Sequence, residues 1–268
     1  FSFLRGFSEL SVDTEVVFLT PDSEMSKVQE TYPHITFKYM WENMPFSNRI
    51  LNKFADEFYG WKFAWSLNPG DVVFLTNFGN VFFKVVKRKG VKVVHEKTEH
   101  PDVYSFKGFN VERYKREVVK VDGMFVISTA LKDYFVSRGL PKEKIEIVNM
   151  TVDSKRFAGL TKQPSEKYIA YCGTASNNKD GVDELIKSFA IVNKTHPEVK
   201  LYIIGKTPDK DDAFGNLKLI ENLGVKDSIV FTGIVSAAEM PQILKNAAVL
   251  ALDRPDSLQA QCGFPTKL

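Results

Sequence analysis

The sequence predicts an α/β protein of two Rossmann-like domains, each built on a parallel sheet, with the two sheets facing a cleft. Short apolar runs alternate with amphipathic helical segments along the whole chain, which is the pattern of a sheet covered by helices. The alternation stops at one polar stretch and then starts again. A chain of 268 residues also has room for two domains of about 100–200 residues each.

The first half of the chain carries the first series of elements. Phe1, Leu4, Phe7 and Leu10 recur at helical spacing, so the sequence opens inside an amphipathic helix. An α/β domain normally has a strand before its first helix, and we therefore expect this domain to lack its first strand here. Strands are predicted at 14–20, 34–40, 70–78, 91–98, 121–128 and 145–150, and helices at 48–67, 80–90 and 129–139.

One predicted helix carries an aromatic stripe. Phe54, Phe58, Trp61 and Trp65 follow one another at intervals of 4, 3 and 4 residues, which places them on one helical face. Such a face is typically apolar because it packs on a sheet. The sequence therefore predicts that the stripe is part of the core.

The second half repeats the alternation after a polar segment, "GLTKQPSEK". We expect domains at 1–158 and 167–268, joined by a linker at 159–166, with the second domain incomplete. Ser236 and Glu239 have the spacing of a capping box at the start of a helix. Strands are predicted at 167–173, 199–205, 228–235 and 248–253, and helices at 181–197, 213–224 and 236–247.

Composition argues against several classes of protein. A formal net charge of only +3 does not favour nucleic-acid binding. Cys172 and Cys262 are too few for a disulfide framework or a zinc pattern, which fits a reducing cytosol. No apolar run approaches the roughly 20 residues of a membrane span, so we expect a cytoplasmic protein. Asp209–Asp212 is typical of a solvated loop rather than a metal site, and no GxGxxG pattern suggests a nicotinamide enzyme.

Glycines follow the predicted strands of the second half. Gly173-Thr174, Gly205-Lys206 and Gly233 stand where three strands end, and glycine there lets a ligand approach the backbone closely. Lys179 comes just before a helix that starts near Gly181, which is a favourable seat for a diphosphate. The alternative is that these glycines form ordinary turns between strands and helices.

The sequence ends on "GFPTKL", from Gly263 to Leu268, which is typical of a turn leading into a helix. The free backbone N–H groups at such a helix start would point at an anion, and Pro265 suits the first helical position. An ordinary helix start is the alternative. Because the predicted helix has no end within the sequence, we expect the chain to be a piece of a longer one.

These motifs, taken in order, resemble the retaining GT-B glycosyltransferases of the family 4 type. The resemblance is carried by "DGMFVISTALKDYFVSRGLPKEKIEIVNMTVDSKRF" (Asp122–Phe157), "YCGTASNNKDGVDELIKSF" (Tyr171–Phe189), "VKLYIIG", "IVFTGIV" and "GFPTKL". It covers roughly Val121–Leu268, and the first 120 residues match only in outline. The resemblance implies truncation at both ends: a Gly-rich loop before Phe1, and a Glu that holds the donor's ribose just after Leu268.

The resemblance also implies roles for the residues that match its motifs. Lys179 would neutralise the diphosphate leaving group. His95, at the end of a strand in "VVHEKTEH" and facing the cleft, would lie near the transferred sugar, with Glu96 or His100 as alternatives. Gln259 and Gln261 stand where the family carries the first acidic residue of a pair. Donor-binding roles fall on the phosphate-cradling Gly173, Thr174, Gly263, Phe264, Pro265 and Thr266, and on Gly205, Lys206 and Val235 around the base.

The reaction implied is transfer of a sugar from a nucleoside-diphosphate donor to a hydroxyl of a glycan, lipid-linked sugar or small molecule, with retention. The departing phosphate serves as base, so no pair of catalytic carboxylates is required, and no cofactor or metal is expected. Phe82–Lys92 mixes apolar and basic residues and could rest on an anionic membrane surface, or could be a packed helix with solvated lysines. Two alternatives stay open: a nucleotide-sugar epimerase, and a non-catalytic sugar-binding protein.

Overall fold

The computed structural model of the chain divides into two compact units, Phe1–Val152 and Asp153–Leu268. Strand pairing is parallel throughout the described parts of both units, so the predicted α/β class with parallel sheets is confirmed. The residues that the structure describes are 2–18, 32, 34–40, 49–76, 79–103, 110–152, 154–163, 166–175, 177–206 and 215–264.

The first unit contains two parallel sheets. A two-stranded sheet pairs β1 (Thr14–Phe18) with β2 (Ile35–Tyr39). A four-stranded sheet has the order β3-β4-β5-β6, formed by Val72–Leu75, Lys92–Lys97, Gly123–Val126 and Ile145–Ile147. The described helices are α1 (Ser2–Glu9), α2 (Arg49–Ser66), α3 (Asn80–Arg88), α4 (Val111–Val118) and α5 (Thr129–Ser137).

Helices α1 and α5 pack on the four-stranded sheet of the first unit. The ring of Phe3 in α1 lies 5.4 Å from that of Phe74 in β3 and 6.0 Å from that of Phe125 in β5. Helix α5 begins where the Ser128 hydroxyl accepts a hydrogen bond from the Leu131 N–H, and Leu131 itself is fully buried. A polar cap and an apolar anchor one turn apart therefore fix this helix on the sheet.

The prediction that the aromatic stripe is core is wrong. Phe54, Phe58, Trp61 and Trp65 are 70%, 57%, 43% and 55% exposed, and the Trp61 ring contacts those of Phe58 and Trp65 along the helix. Helix α2 instead packs on its neighbour through the opposite face. There Ala64 is fully buried, and the ring of Phe63 stacks on that of Phe82 in α3 at 6.0 Å. The face that packs on α3 is therefore not the face that carries the aromatic stripe.

The segment considered for membrane contact, Phe82–Lys92, begins inside α3 and includes that helix from Phe82 to Arg88. Its residues Phe83, Val85 and Val86 are buried, whereas Lys84 and Arg88 are exposed. The packing therefore favours a helix on its sheet with solvated basic residues. Within the described ranges, no helix combines the length and apolar character required to cross a membrane.

The second unit has one four-stranded parallel sheet of order β10-β7-β8-β9. The segment 159–163, expected as a linker, belongs to this unit, and the Gln163 N–H donates to Asn246 Oδ1 at 2.9 Å. The strands of the second unit are β7 (Tyr168–Cys172), β8 (Lys200–Ile204), β9 (Ile229–Gly233) and β10 (Val249–Leu250). Its described helices are α6 (Asn177–Asp180), α7 (Val182–Thr195), α8 (Asn216–Leu223), α9 (Met240–Asn246) and α10 (Leu258–Cys262).

The core of the second unit lies between α7 and the sheet. Val182, Ile186 and Phe189 form the buried face of α7, as their spacing predicts, and they pack in one cluster with Leu201 and Ile203 of β8. This arrangement anchors the amino-terminal end of α7 close to the carboxyl edge of the sheet, where β7 leads into it through α6.

The predicted capping box precedes α9. The Ser236 N–H donates to Glu239 Oε2 at 3.3 Å, and the Glu239 N–H donates to the Ser236 hydroxyl at 3.2 Å. These two backbone N–H groups, which have no partner within the helix, are hydrogen-bonded in this way. Helix α10 is absent from the sequence predictions. Ser257 caps it by accepting a hydrogen bond from the Ala260 N–H.

We predict that Gly181→Ala destabilises the second unit by more than about 3 kcal/mol, because the backbone of Gly181 has φ +61° and a Cβ would lie 1.6 Å from the Asp253 carbonyl oxygen. Gly224→Ala is the matched control: its φ is +68° but no atom lies within 4 Å of the added Cβ. The control should cost only about 1 kcal/mol. Urea unfolding followed by circular dichroism measures both, and equal losses would contradict the steric argument.

Candidate functional site

Three glycines end neighbouring strands of the second unit and form its carboxyl edge. Gly173 follows β7, Gly205 follows β8 and Gly233 ends β9. The Gly173 N–H donates to the Ile204 carbonyl at 2.8 Å, and the Gly205 N–H donates to the Gly233 carbonyl at 3.1 Å. The three corners are therefore adjacent, and backbone hydrogen bonds fix their spacing.

The first two corners are in direct backbone contact. A Cβ at Gly205, whose φ is +148°, would lie 2.1 Å from the Gly173 carbonyl oxygen, so only glycine fits. The Gly173 N–H is used inside the sheet. Any anion at this corner would therefore meet the Thr174 N–H rather than that of Gly173.

A buried carboxylate holds the next segment in place. Asp180 is only 2% exposed, and the Tyr171 hydroxyl lies 2.8 Å from its Oδ2. The same hydroxyl lies 2.6 Å from the Thr174 carbonyl oxygen, so its single proton is shared between two acceptors. Burial and the adjacent Asp180 carboxylate raise the pKa of Tyr171, which keeps the phenol protonated. Tyr171 and Asp180 thereby tie α6 to the corner at Gly173-Thr174.

Lys179 is held between fixed neighbours. It is partly buried in α6, directly before Asp180. Gly181, two residues on, presses against the Asp253 carbonyl in the segment after β10. The backbone around Lys179 is therefore held on one side by its link to β7 and on the other side by the segment after β10.

Gly263 joins this group through Arg254. The Gly263 N–H donates to the Gln259 carbonyl at 2.9 Å and ends α10. A Cβ at Gly263 would lie 2.6 Å from the Gln259 carbonyl oxygen and 3.4 Å from Arg254 Nη1. Arg254 Nε in turn lies 3.8 Å from Asp180 Oδ1. Phe264 is exposed, whereas Pro265 and Thr266 lie outside the described residues.

The residues expected around a base lie on the neighbouring strands. Gly205 is partly buried and Lys206 is exposed, directly after β8. Val235, just after β9, packs against the cluster that contains Ile204. All three residues therefore lie at the same edge of the sheet as the Gly173 corner.

The structure places His95 in the interior of the first unit. Strand β4 runs on to Lys97, so His95 lies two residues before its end, and it is only 2% exposed. Its Nδ1 lies 2.8 Å from the Leu75 carbonyl and its Nε2 lies 3.2 Å from the Tyr114 hydroxyl. A carbonyl only accepts, so Nδ1 carries the proton and Tyr114 donates to Nε2. Burial, partly opposed by the Leu75 hydrogen bond, lowers the pKa of His95 to about 4.

Other titratable side chains surround the end of β4. Burial raises the pKa of Glu96 and lowers that of Lys97 to about 8. His100 is buried, its Nδ1 accepts from the Asp102 N–H at 3.2 Å, and its ring lies 4.2 Å from that of Tyr134. Burial also lowers the pKa of His100. Of these groups, Lys97 and Tyr134 were missed from the sequence.

In the second unit, one continuous set of contacts links the three corners, the Lys179 segment and Gly263. The residues that connect them, Tyr171, Asp180 and Arg254, were not predicted. One available signal is that Arg254 directly follows the strand predicted at 248–253, at the edge where ligands bind in such sheets. No group of three or more His, Cys, Asp or Glu side chains in the described ranges is placed to hold a metal ion.

Comparisons with known proteins agree with this architecture. Residues 153–255 match the family described as Glycosyl transferases group 1. A mannosylfructose-phosphate synthase of Agrobacterium fabrum is 26% identical over 141 residues, which are 47% of this chain and 30% of that protein. The chain thus spans less than a third of this curated relative.

Two solved structures show the same fold. HepE of Anabaena, in complex with UDP-glucose, superposes with a TM-score of 0.67 at 16% identity. The superposition covers 94% of this chain and 69% of the HepE chain. A glycosyltransferase from Rickettsia africae has a TM-score of 0.61 at 12% identity, over 89% of this chain and 64% of its own. The fold is therefore that of GT-B glycosyltransferases, as the sequence predicts.

We predict that His95 makes the first unit less stable in mild acid. Its pKa is about 4 in the fold and near 6.5 in the unfolded chain, so between these values only the unfolded state binds the proton. Stability is therefore full above the unfolded pKa and falls as the pH drops towards 4. Between pH 7 and pH 5 the expected loss is about 2 kcal/mol.

The measurement is urea unfolding followed by tryptophan fluorescence, since Trp41, Trp61 and Trp65 all belong to the first unit. His95→Gln should remove this part of the pH dependence. His34→Gln, which changes an exposed histidine of the same unit, should keep it. A pH dependence unchanged in His95→Gln would show that the ring is not buried as described.

Proposed function

We propose that the protein is a GT-B glycosyltransferase that moves a sugar from a nucleoside-diphosphate donor to a hydroxyl acceptor. One observation carries the proposal: the adjacent glycine corners at the carboxyl edge of the second sheet are linked, through Tyr171, Asp180 and Arg254, to the segment of Lys179 and to Gly263. Most of these residues lie within the stretch that matches Glycosyl transferases group 1. The UDP-glucose complex of HepE, which shares the fold, supports a nucleotide sugar as donor.

We assign binding of the donor's phosphates to three groups. We assign the positive charge to Lys179, a donor at the first corner to the Thr174 N–H, and further donors to the backbone after Gly263, whose own N–H is used by the Gln259 carbonyl. The sugar–phosphate bond breaks with development of negative charge on the leaving diphosphate. Donors that are already in place stabilise this charge without reorganising. Gly173 shapes the corner rather than donating to the phosphate, because its own N–H is used in the sheet.

We assign binding of the donor's base to Gly205, Lys206 and Val235. Gly205 leaves β8 without a side chain, at a corner where its backbone touches that of Gly173, so the main chain itself borders the proposed base position. Val235 adds an apolar contact from the neighbouring strand. UDP is the first nucleotide to test, because HepE was determined with it.

The finer features of the reaction follow the family resemblance. We propose transfer of a hexose with retention of the anomeric configuration, in which the leaving phosphate receives the proton of the acceptor hydroxyl. The bond to the diphosphate breaks as the bond to the acceptor oxygen forms on the same face of the sugar. We further propose that neither a metal nor a cofactor takes part, and that the acceptor is a sugar or a lipid-linked sugar.

We propose that His95 acts near the transferred sugar indirectly, by ordering the end of strand β4. Both ring nitrogens are engaged inside the first unit, by the Leu75 carbonyl and the Tyr114 hydroxyl. The ring thus ties the end of β3 to helix α4, and orders the residues that follow it on β4. Glu96 and His100 are the alternatives for direct contact with the sugar.

We predict that Lys179→Ala lowers sugar transfer by at least about 100-fold, because the leaving phosphate loses its cation. Transfer is measured with radiolabelled UDP-glucose, UDP-galactose, UDP-N-acetylglucosamine and GDP-mannose, with a cell-envelope extract as the source of acceptors. Lys187→Ala is the matched control, since Lys187 pairs with Glu184 on the exposed face of α7. It should retain wild-type transfer.

Product analysis separates the proposal from its alternatives. Retention predicts an axial linkage from an axial donor by NMR, and independence from metals predicts unchanged rates in EDTA. Conversion of the donor into its epimer without transfer would indicate an epimerase. Binding of a nucleotide sugar without turnover with any donor would indicate a non-catalytic protein.

A further inference from the structure

Helix α2 of the first unit presents an exposed apolar face along most of its length. Its other side packs on α3, where Ala64 is buried and the ring of Phe63 stacks on that of Phe82. The exposed face, called the seam below, is formed by Leu51, Phe54, Phe58, Trp61 and Trp65, each at least 43% exposed. A contiguous apolar surface of this kind marks a place of interaction.

The spacing of the seam is that of a coiled coil. Its residues follow one another at intervals of 3, 4, 3 and 4, which is the repeat of a and d positions. Leu51, Phe58 and Trp65 take the a positions, and Phe54 and Trp61 take the d positions. Such a seam packs against a second helix of the same kind. Two heptads are enough here, because α2 is already held in its helical form by packing on α3.

Two charged side chains flank the seam on opposite sides. Glu57 takes the g position and Lys62 the e position that follows it, and both are exposed. In a parallel pair of helices, the g residue of one copy meets the e residue of the other, and such pairs select partner and orientation. Two identical copies would therefore form two Glu57–Lys62 ion pairs, one on each side of the seam. In an antiparallel pair g meets g and e meets e, so these ion pairs would not form.

We propose that two copies of this chain pair in parallel through α2, with each residue of the seam against its counterpart. The four aromatic side chains, each about half exposed, offer together roughly 350–550 Å² per copy. With Leu51 included, the pair buries about 1,000 Å², the area at which specific interfaces begin. An interface of this size gives a dimer with a micromolar Kd.

An anionic bilayer is the other surface that exposed aromatic residues suit. Helices that lie on such a bilayer carry Lys and Arg on their polar face. Glu57 stands at the edge of the seam beside Phe58, where its carboxylate would be repelled by anionic lipid. A second copy satisfies both Glu57 and Lys62, whereas an anionic bilayer satisfies only Lys62. The charges therefore favour the second copy.

Sedimentation equilibrium of the purified protein measures the pairing. We expect Lys62→Glu to raise the Kd about 10-fold, since both ion pairs become repulsions. The exchange Glu57→Lys/Lys62→Glu should restore wild-type pairing, because the same charges meet with their places swapped. Trp61→Ala should raise the Kd at least about 30-fold by removing a central anchor. Lys194→Glu, the same charge change at an exposed lysine of α7, should match wild type.

A cysteine at one end of the seam tests the parallel direction. Parallel pairing brings the two copies of position 51 together, so Leu51→Cys should form a disulfide-linked dimer under mild oxidation. In an antiparallel pair centred on the seam, the two cysteines would be roughly 20 Å apart, too far for a disulfide. Val136→Cys, an exposed position of α5, should stay unlinked.

Wild type that stays monomeric throughout the micromolar range would overturn the proposal. Its co-sedimentation with vesicles of phosphatidylcholine and phosphatidylglycerol would then assign the seam to a membrane. A dimer that Lys62→Glu and Trp61→Ala leave unchanged would be held by another surface, which would also overturn it. Failure of the charge exchange to restore pairing, or of Leu51→Cys to cross-link, would refute the parallel arrangement. Circular dichroism and thermal unfolding confirm that each variant is folded, as expected for changes at exposed side chains.

Discussion

The second unit depends on one buried carboxylate. Taking the charge of Asp180 out of water costs several kcal/mol unless other groups compensate it. The Tyr171 hydroxyl and the Arg254 guanidinium do so from two different parts of the chain. Because the carboxylate cannot move without losing these partners, it fixes α6 against the end of β7 and against the segment after β10. Lys179 is the residue before it, so the cation of the candidate site inherits that fixed position.

Glycine provides the complementary constraint. At Gly205 and Gly181 a side chain would collide with a backbone carbonyl, so the main chains themselves are in contact. Such contacts leave a surface made of backbone, which suits a ligand recognised by its phosphates. Charge and glycine thus act together: the carboxylate network places the segment of Lys179, and the glycines allow the neighbouring main chains to touch.

The periodic parts of the fold could be read from the sequence, whereas tertiary contacts could not. The buried face of α7 and the capping box at Ser236 follow from spacing and local hydrogen bonds. The stripe from Phe54 to Trp65 has the same kind of spacing yet faces outward, because periodicity shows that residues share a face and not what that face contacts. Arg254 was missed for a related reason: its partner Asp180 is 74 residues away in the chain, and only the folded structure brings them together.

A crystal structure of the protein with UDP tests the central claim most directly, namely that the corner at Gly173-Thr174, Lys179 and the turn at Gly263 form one diphosphate site. The account predicts both phosphates within hydrogen-bonding distance, about 3.5 Å or less, of Lys179 Nζ and the Thr174 N–H. It also predicts the uracil at the corner formed by Gly205 and Val235. UDP bound elsewhere on the molecule, or with its phosphates turned away from Lys179, would contradict the account.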